Sequence, residues 1–229
     1  MKSKTSVTEA DRAYDILFNM IAEGELLPGE KLTRRRMAEI AGTSVIPVTE
    51  AASRLESVGL LTKNDNGHTS VALPTLEEMI GKYYLREAIE CKVVEILCEK
   101  GLSKKQQVEL LDLADLIDPG SELSKGGLLN GKTHVHYHQL FHQKLANYTG
   151  FKCFEDIFYS SSMHFLILQF KAAYAEIEST PANASHRKIV EHIIAGNKLA
   201  ACEMMKNHIY NASTSIMQKL VLLRQKQDE

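Results

Sequence analysis

Nine of the 229 residues are histidine and none is tryptophan. Only His68 precedes position 134; the others fall between His134 and His208. His134, His138 and His142 recur every fourth residue, which stacks three imidazoles on one face of a helix. Two histidines one turn apart can hold a divalent metal through ring nitrogens if other helices supply the remaining ligands. His186 opens a later helical stretch, and His208 lies near the middle of the last one. Arg34-Arg35-Arg36 suggests a second chemistry, three guanidinium groups placed to neutralise phosphate. Neither pattern is specific alone. Single histidines usually sit on surfaces or satisfied in a core, and arginine runs are usually solvated.

The segments that must position these groups fall into two textures. In residues 1–74, Ala13, Ile16, Leu17, Met20 and Ile21 predict a helix over 7–22, ended by Gly24 and Leu27-Pro28-Gly29. Thr33 is placed to cap a short helix over 33–40, closed by Gly42. Ser44 can cap a third helix, with Pro47 in its first turn and Val48, Ala51, Ala52 and Leu55 as its apolar stripe. That helix runs to about Val58, and Gly59 stops it. Residues 60–63 and 69–73 then read as strands of a hairpin around Asn66-Gly67. This order predicts a winged helix-turn-helix, whose third helix enters the DNA major groove while the hairpin reaches the backbone or minor groove. A small α+β packing or dimerisation domain has the same order of elements.

After Pro74 the helical period recurs at 76–100, 104–117, 132–148, 152–178, 183–195 and 197–222, with a loop over 118–127. No strand-like alternation intervenes. The fold class expected is therefore mainly α, a winged helix-turn-helix over 1–74 and an all-helical antiparallel bundle over 75–229.

Composition narrows the function. A hydrophobic share of 44% and a charged share of 24% exclude a largely disordered or fibrous chain. No apolar run approaches the roughly 20 residues of a membrane span. Met1–Thr5 carries charge but no apolar stretch follows, so no signal peptide is expected. Cys91, Cys98, Cys153 and Cys202 are far apart and read as reduced thiols on core helix faces, which suits the cytoplasm. Residues 1–74 hold nine basic and ten acidic side chains, so DNA affinity there must come from a local patch.

The wording around the first three helices is more specific than their order. Ile21-Ala22-Glu23-Gly24-Glu25-Leu26-Leu27-Pro28-Gly29-Glu30-Lys31-Leu32, Met37-Ala38-Glu39-Ile40-Ala41-Gly42-Thr43-Ser44, Pro47-Val48, Glu50-Ala51 and Leu55-Glu56-Ser57-Val58-Gly59-Leu60-Leu61 resemble the DNA-binding domain of the GntR family of bacterial transcriptional regulators. The resemblance spans about residues 10–73. It implies a DNA-contacting set of Arg34, Arg35, Arg36, Ser44, Val45, Thr49, Gly67 and His68. Val45 and Thr49 depart from the family, which usually carries arginine at both positions. Thr49 can still donate a hydrogen bond and Val45 can meet a thymine methyl, while Arg34–Arg36 take a larger share of the phosphate contacts.

Later residues resemble the FCD ligand-binding domain of the FadR-type branch of that family. They are Phe141-His142, Leu145-Ala146, Tyr148-Thr149-Gly150, His186-Arg187-Lys188-Ile189-Val190, Ile194-Ala195-Gly196-Asn197-Lys198 and Met205-Lys206-Asn207-His208-Ile209. Many members hold a metal with one Asp and three His. By position the histidines are His142, His186 and His208, at separations of 44 and 22 residues, and His138 stands where the Asp would be. An all-His site suits zinc first and nickel second. Four neutral imidazoles leave the 2+ charge uncompensated, which favours an anionic ligand. The resemblance implies a small carboxylic-acid effector, faced by Arg86 from the first helix of the domain, with His134 and His164 as further pocket residues. Arg86 has an alternative as a surface i,i+4 pair with Glu90.

The leading expectation is thus a non-enzymatic, cytoplasmic, homodimeric regulator that binds double-stranded DNA, a divalent metal and a small organic acid, with no membrane partner. Two rivals stand beside it. One keeps the regulator with a purely structural metal and no effector; the other is a His-rich metal-dependent hydrolase, for which no carboxylate occupies a marked base position.

Overall fold

The computed structural model describes residues 7–64, 67–118, 120–121, 129, 134–160 and 185–211. Two compact units emerge, the first ending at Leu73 and the second starting at Pro74 along the described chain.

In the first unit, α1 (Glu9–Ala22) starts one residue after Thr8, whose hydroxyl accepts from the Asp11 amide while Asp11 bonds back to the Thr8 amide. This reciprocal cap, rather than Val7, sets the start, and such caps are worth about 1 kcal/mol. Ala10, Ala13, Leu17 and Ile21 bury one face of α1 against Val48, Ala51, Ala52 and Leu55 of α3 (Val45–Ser57). Between them lies α2 (Arg34–Ala41), capped by the Thr33 hydroxyl and ended by Gly42 at φ +62°, a left-handed conformation that glycine adopts without strain. Ser44 occupies the N-cap position of α3 but its side chain makes no capping bond.

The wing has three strands, not two. β1 (Lys31–Leu32), β2 (Leu61–Lys63) and β3 (Thr69–Val71) form an antiparallel sheet in the order β1-β3-β2. β3 is central, with Lys31 opposite Ser70 and Leu61 opposite Val71. Two residues are too few to show alternation, so β1 has no signature in the sequence. At the hairpin tip Gly67 takes φ +77°, and the Asn64 carboxamide oxygen accepts from the His68 amide.

The described elements of the second unit are helices. α4 (Leu76–Lys100) and α5 (Lys104–Ile117) each begin with a reciprocal cap, Thr75 with Glu78 and Ser103 with Gln106. Then come α6 (His134–Tyr148), α7 (Lys152–Ser160), α8 (His186–Ile194) and α9, described over 198–211. α6 and α8 each pack against both α4 and α5. The interior is not purely apolar. Arg86, at 1% exposure, is among the largest fully buried side chains, and Glu90 beside it is equally buried.

Of the cysteines, Cys91, Cys98 and Cys202 are half-buried, whereas Cys153 is exposed rather than in a core. Burial, with Cys202 and Glu87 nearby, pushes the Cys91 thiol up to about 12, which keeps it protonated and unreactive. No helix among the described residues is long and apolar enough to cross a membrane.

Candidate metal centre and nucleic-acid face

Three helices of the second unit bring four imidazoles together. His138 and His142 lie one turn apart on α6, His186 is the first residue of α8, and His208 comes from α9. All four are buried. Ring centroids are 4.4 Å apart for His186 and His208, 4.7 Å for His138 and His142, and 4.9 Å for His138 and His186. One ligand nitrogen from each can be chosen so that all lie within 4.8 Å of one another. Four nitrogens held tetrahedrally about 2.1 Å from one ion are about 3.4 Å apart, so the rings would draw in by on the order of 1 Å to share it.

Burial, then the neighbouring imidazoles, pushes His138 and His208 well below the ordinary histidine value. Both are therefore neutral at pH 7 and offer lone pairs. His208 Nε2 is buried and has no hydrogen-bond partner. A buried polar atom left that way costs about 1–3 kcal/mol, and coordination would remove the cost. The donor set fits a divalent ion of the zinc or nickel type.

Behind the imidazoles stand two carboxylates. Glu90 Oε2 lies 2.7 Å from His142 Nδ1, and Glu90 Oε1 accepts from Arg86 Nε at 2.6 Å. The Glu90–His142 contact has an ion-pair distance without the in-line geometry of a hydrogen bond. Asp118 Oδ1 lies 2.7 Å from His186 Nδ1 within hydrogen-bond geometry. Burial alone would raise the Asp118 pKa, but bonds from His186 and Ser185 outweigh it and hold it at about 2. The expectation of an uncompensated 2+ charge is therefore corrected: two anions contact two of the four imidazoles directly.

The remaining pocket candidates separate. Arg86 does pair with Glu90, but both side chains are 1% exposed, so the surface-pair alternative is replaced by a buried one. Its Nη2 is buried and makes no hydrogen bond. His134 Nε2 is 2.8 Å from the Ile117 carbonyl at the end of α5, and its ring centroid lies 5.9 Å from that of His138. His164 lies outside the described residues. Glu90 and Asp118 escaped sequence reading as partners of the site; the only available signal was Glu90 following Arg86 by four.

On the first unit, Arg34 and Arg35 are exposed, and Arg35 Nε pairs with Glu39 at 3.1 Å across an open surface. Arg36 is drawn to Glu30 at 2.6 Å. Lys31, Arg34, Gly67 and His68 line one shallow groove between the start of α2 and the wing. Ser44 and Val45 are exposed at the start of α3. Thr49 is half-buried, and its hydroxyl donates to the Val45 carbonyl at 2.7 Å, so the donor expected for a base is engaged by backbone. Ile46, which the sequence reading passed over, is 84% exposed beside Val45.

Residues 9–71 match the family described as bacterial regulatory proteins, gntR family, and residues 82–211 match the FCD domain. A Bacillus subtilis (strain 168) protein named as an uncharacterized HTH-type transcriptional regulator, YdhC, is 24% identical over 198 residues, 85% of each chain. Among solved structures, E. coli McbR/YncC superposes with a TM-score of 0.66 at 18% identity, over 98% of this chain and 100% of that one. A transcriptional regulator GntR from Rhodococcus sp. RHA1 gives 0.68 at 22%, over 91% and 97%. Those identities bear on the fold alone. The FCD match, however, covers more than half of the chain, directly after a matched helix-turn-helix. The protein belongs to the GntR family of bacterial regulatory proteins, as a DNA-binding transcriptional regulator whose second part is an FCD effector-binding domain.

Proposed function

We propose that residues 1–74 read operator DNA and that residues 75–229 hold one Zn2+, or in its place Ni2+, on His138, His142, His186 and His208. A small carboxylic acid is the effector, and the protein works as a cytoplasmic homodimer. The observation that carries the reading is the buried cluster of four imidazoles, with one nitrogen of each within 4.8 Å of the rest. A bound metal supplies a Lewis-acidic position for a carboxylate oxygen. Charge supports an anion as well. With a divalent ion, Arg86, Glu90 and Asp118 leave the buried cluster one positive charge in excess, which a monocarboxylate neutralises. Arg86 Nη2 is the donor on hand for its second oxygen. Effector binding would shift the population of helix arrangements and so re-space the two DNA-binding units of the dimer.

A second reading is favoured by a specific observation. Glu90 and Asp118 already offset the metal charge through His142 and His186, which suits a purely structural ion with no effector. Metal analysis followed by melting with a panel of small carboxylic acids separates the two. A sensor melts higher with the right acid, and the gain vanishes on chelation, since a ligand selective for the folded form stabilises it. A metal-free protein that still responds to acids rules out the metal-centred version.

For the DNA side, the contacts proposed are Arg34, Arg35 and Arg36 to phosphate, Ser44, Val45 and Thr49 at the recognition helix, and Gly67 and His68 on the wing. Arg35 gives the cleanest test, because its exposed pair with Glu39 is worth at most about 1 kcal/mol and is easily given up. Arg35→Ala is expected to weaken binding on operator and random duplexes alike and to lower the salt slope by about one. Isotherms at several salt concentrations check this; an unchanged slope removes Arg35 from the interface.

A further inference from the structure

Asp118 lies outside the four-imidazole cluster, in the turn that follows α5. Its amide donates to the Ala114 carbonyl at 2.9 Å, which fixes the residue on the last turn of that helix. Its carboxylate then gathers the start of α8. Oδ1 accepts from the His186 amide at 2.8 Å and contacts His186 Nδ1 at 2.7 Å. Oδ2 accepts from the Arg187 amide at 3.2 Å and from the Ser185 hydroxyl. Asp115, three residues earlier, receives Arg187 Nη1 at 2.6 and 2.7 Å on its two oxygens. Two neighbouring acids therefore tie α8 to α5, but only Asp118 touches the imidazole.

We infer that Asp118 is a positioning residue for the metal centre: it fixes the tautomer and ring direction of His186, so that Nε2 is the ligand nitrogen. A carboxylate can only accept a hydrogen bond, so the ring hydrogen must sit on Nδ1 and the lone pair on Nε2. Metal-binding histidines commonly give their second ring N–H to such an acceptor, which holds the ring and raises its basicity. Helix capping alone does not account for the arrangement. Ser185 already caps α8 by accepting from the Lys188 amide, and a cap has no need of the side-chain contact to His186. The inference rests on the metal reading given above.

The test uses the full chain and three variants. Asp118→Asn with its NH2 group in the Oδ1 place keeps an oxygen for the Arg187 amide and the Ser185 hydroxyl, gives up the bond from the His186 amide, and turns a donor toward His186 Nδ1, which favours the opposite tautomer. Asp115→Ala loosens the same helix without touching the imidazole. Asp118→Ala removes both functions and shows what loss of anchorage does to melting. Zn2+ affinity is measured by competition with a chromophoric chelator. The His186 tautomer is read from ring 15N shifts of the metal-free protein.

Asp118→Asn is expected to bind Zn2+ about 10- to 100-fold more weakly and to move the ring hydrogen from Nδ1 to Nε2. Asp115→Ala is expected to stay within about twofold of the original chain, as befits an exposed pair remote from the ligand nitrogens. Equal weakening by Asp115→Ala and Asp118→Asn means anchorage alone, and overturns the inference. Unchanged affinity in Asp118→Asn, with the original chain binding Zn2+ tightly, overturns it too and leaves the metal reading intact. An original chain that takes up no Zn2+ removes the metal reading, and with it any role of Asp118 toward a metal.

Discussion

Replacing His208 by Leu is expected to weaken Zn2+ binding about 100-fold while leaving the metal-free protein as stable as before, or more so. The two effects part because of what surrounds the ring. His208 is buried, it is held neutral by burial and the neighbouring imidazoles, and its Nε2 has no hydrogen-bond partner. In the metal-free state that nitrogen costs about 1–3 kcal/mol, and an apolar side chain of similar volume removes the cost. In the metal-bound state it is one of four ligands. Structural zinc sites contribute about 10–16 kcal/mol, so one ligand of four accounts for roughly 3 kcal/mol, or about two decades of affinity. The readouts are a chelator competition and a pair of melts with and without Zn2+. A variant whose Zn2+ affinity and zinc-dependent rise in melting temperature both equal those of the original chain refutes the proposed ligand set. A variant destabilised equally with and without metal marks His208 as an ordinary core residue.

The second large effect is expected at Glu90. Glu90→Ala leaves the Arg86 guanidinium inside the helical unit without its 2.6 Å partner. Breaking one half of a buried ion pair costs about 3–5 kcal/mol, a large fraction of the roughly 5–15 kcal/mol that holds a typical domain folded. Removing both halves is different. Arg86→Met with Glu90→Leu replaces the pair by apolar groups, a change that is often neutral or stabilising. Urea denaturation should therefore show the single variant far weaker than the double one. The double variant then asks about function, since it folds but offers no guanidinium to a carboxylate. If it still melts higher with the effector acid, Arg86 is structural. If Glu90→Ala loses less than about 0.5 kcal/mol, the pair is not buried in solution.

Local rules carried much of the first unit. Thr33 as cap, Gly42 as a left-handed stop, and the stripe Val48, Ala51, Ala52 and Leu55 depend on residues at most four apart, and each stands where the period put it. β1 was not readable because its two residues become a strand only by pairing with Ser70 and Thr69. Ile46 was readable in principle. It falls outside the apolar stripe of α3, so burial in the core was never its place, and it is 84% exposed. Cys153 shows the reverse error, an apolar-looking residue near a helix start that no neighbour covers.

In the second unit, helical period and resemblance singled out His138, His142, His186 and His208, and the fold does place these four together. Their second partners were out of reach. Arg86 and Glu90 look the same in a sequence whether the i,i+4 pair faces water or protein. Their burial depends on the packing of α6 and α8 against α4. Asp118 sits in a turn, where no period marks a facing residue, and its carboxylate meets a side chain 68 positions later.

The order of residues was enough to set the helices, their caps, the winged helix-turn-helix order and the identity of four imidazoles, because each follows from short-range stereochemistry or a spaced motif. Which groups stand behind those imidazoles was decided only by packing. Charge compensation at a buried site depends on distances of about 3 Å between segments far apart in the chain, and those distances exist only once the helices are assembled.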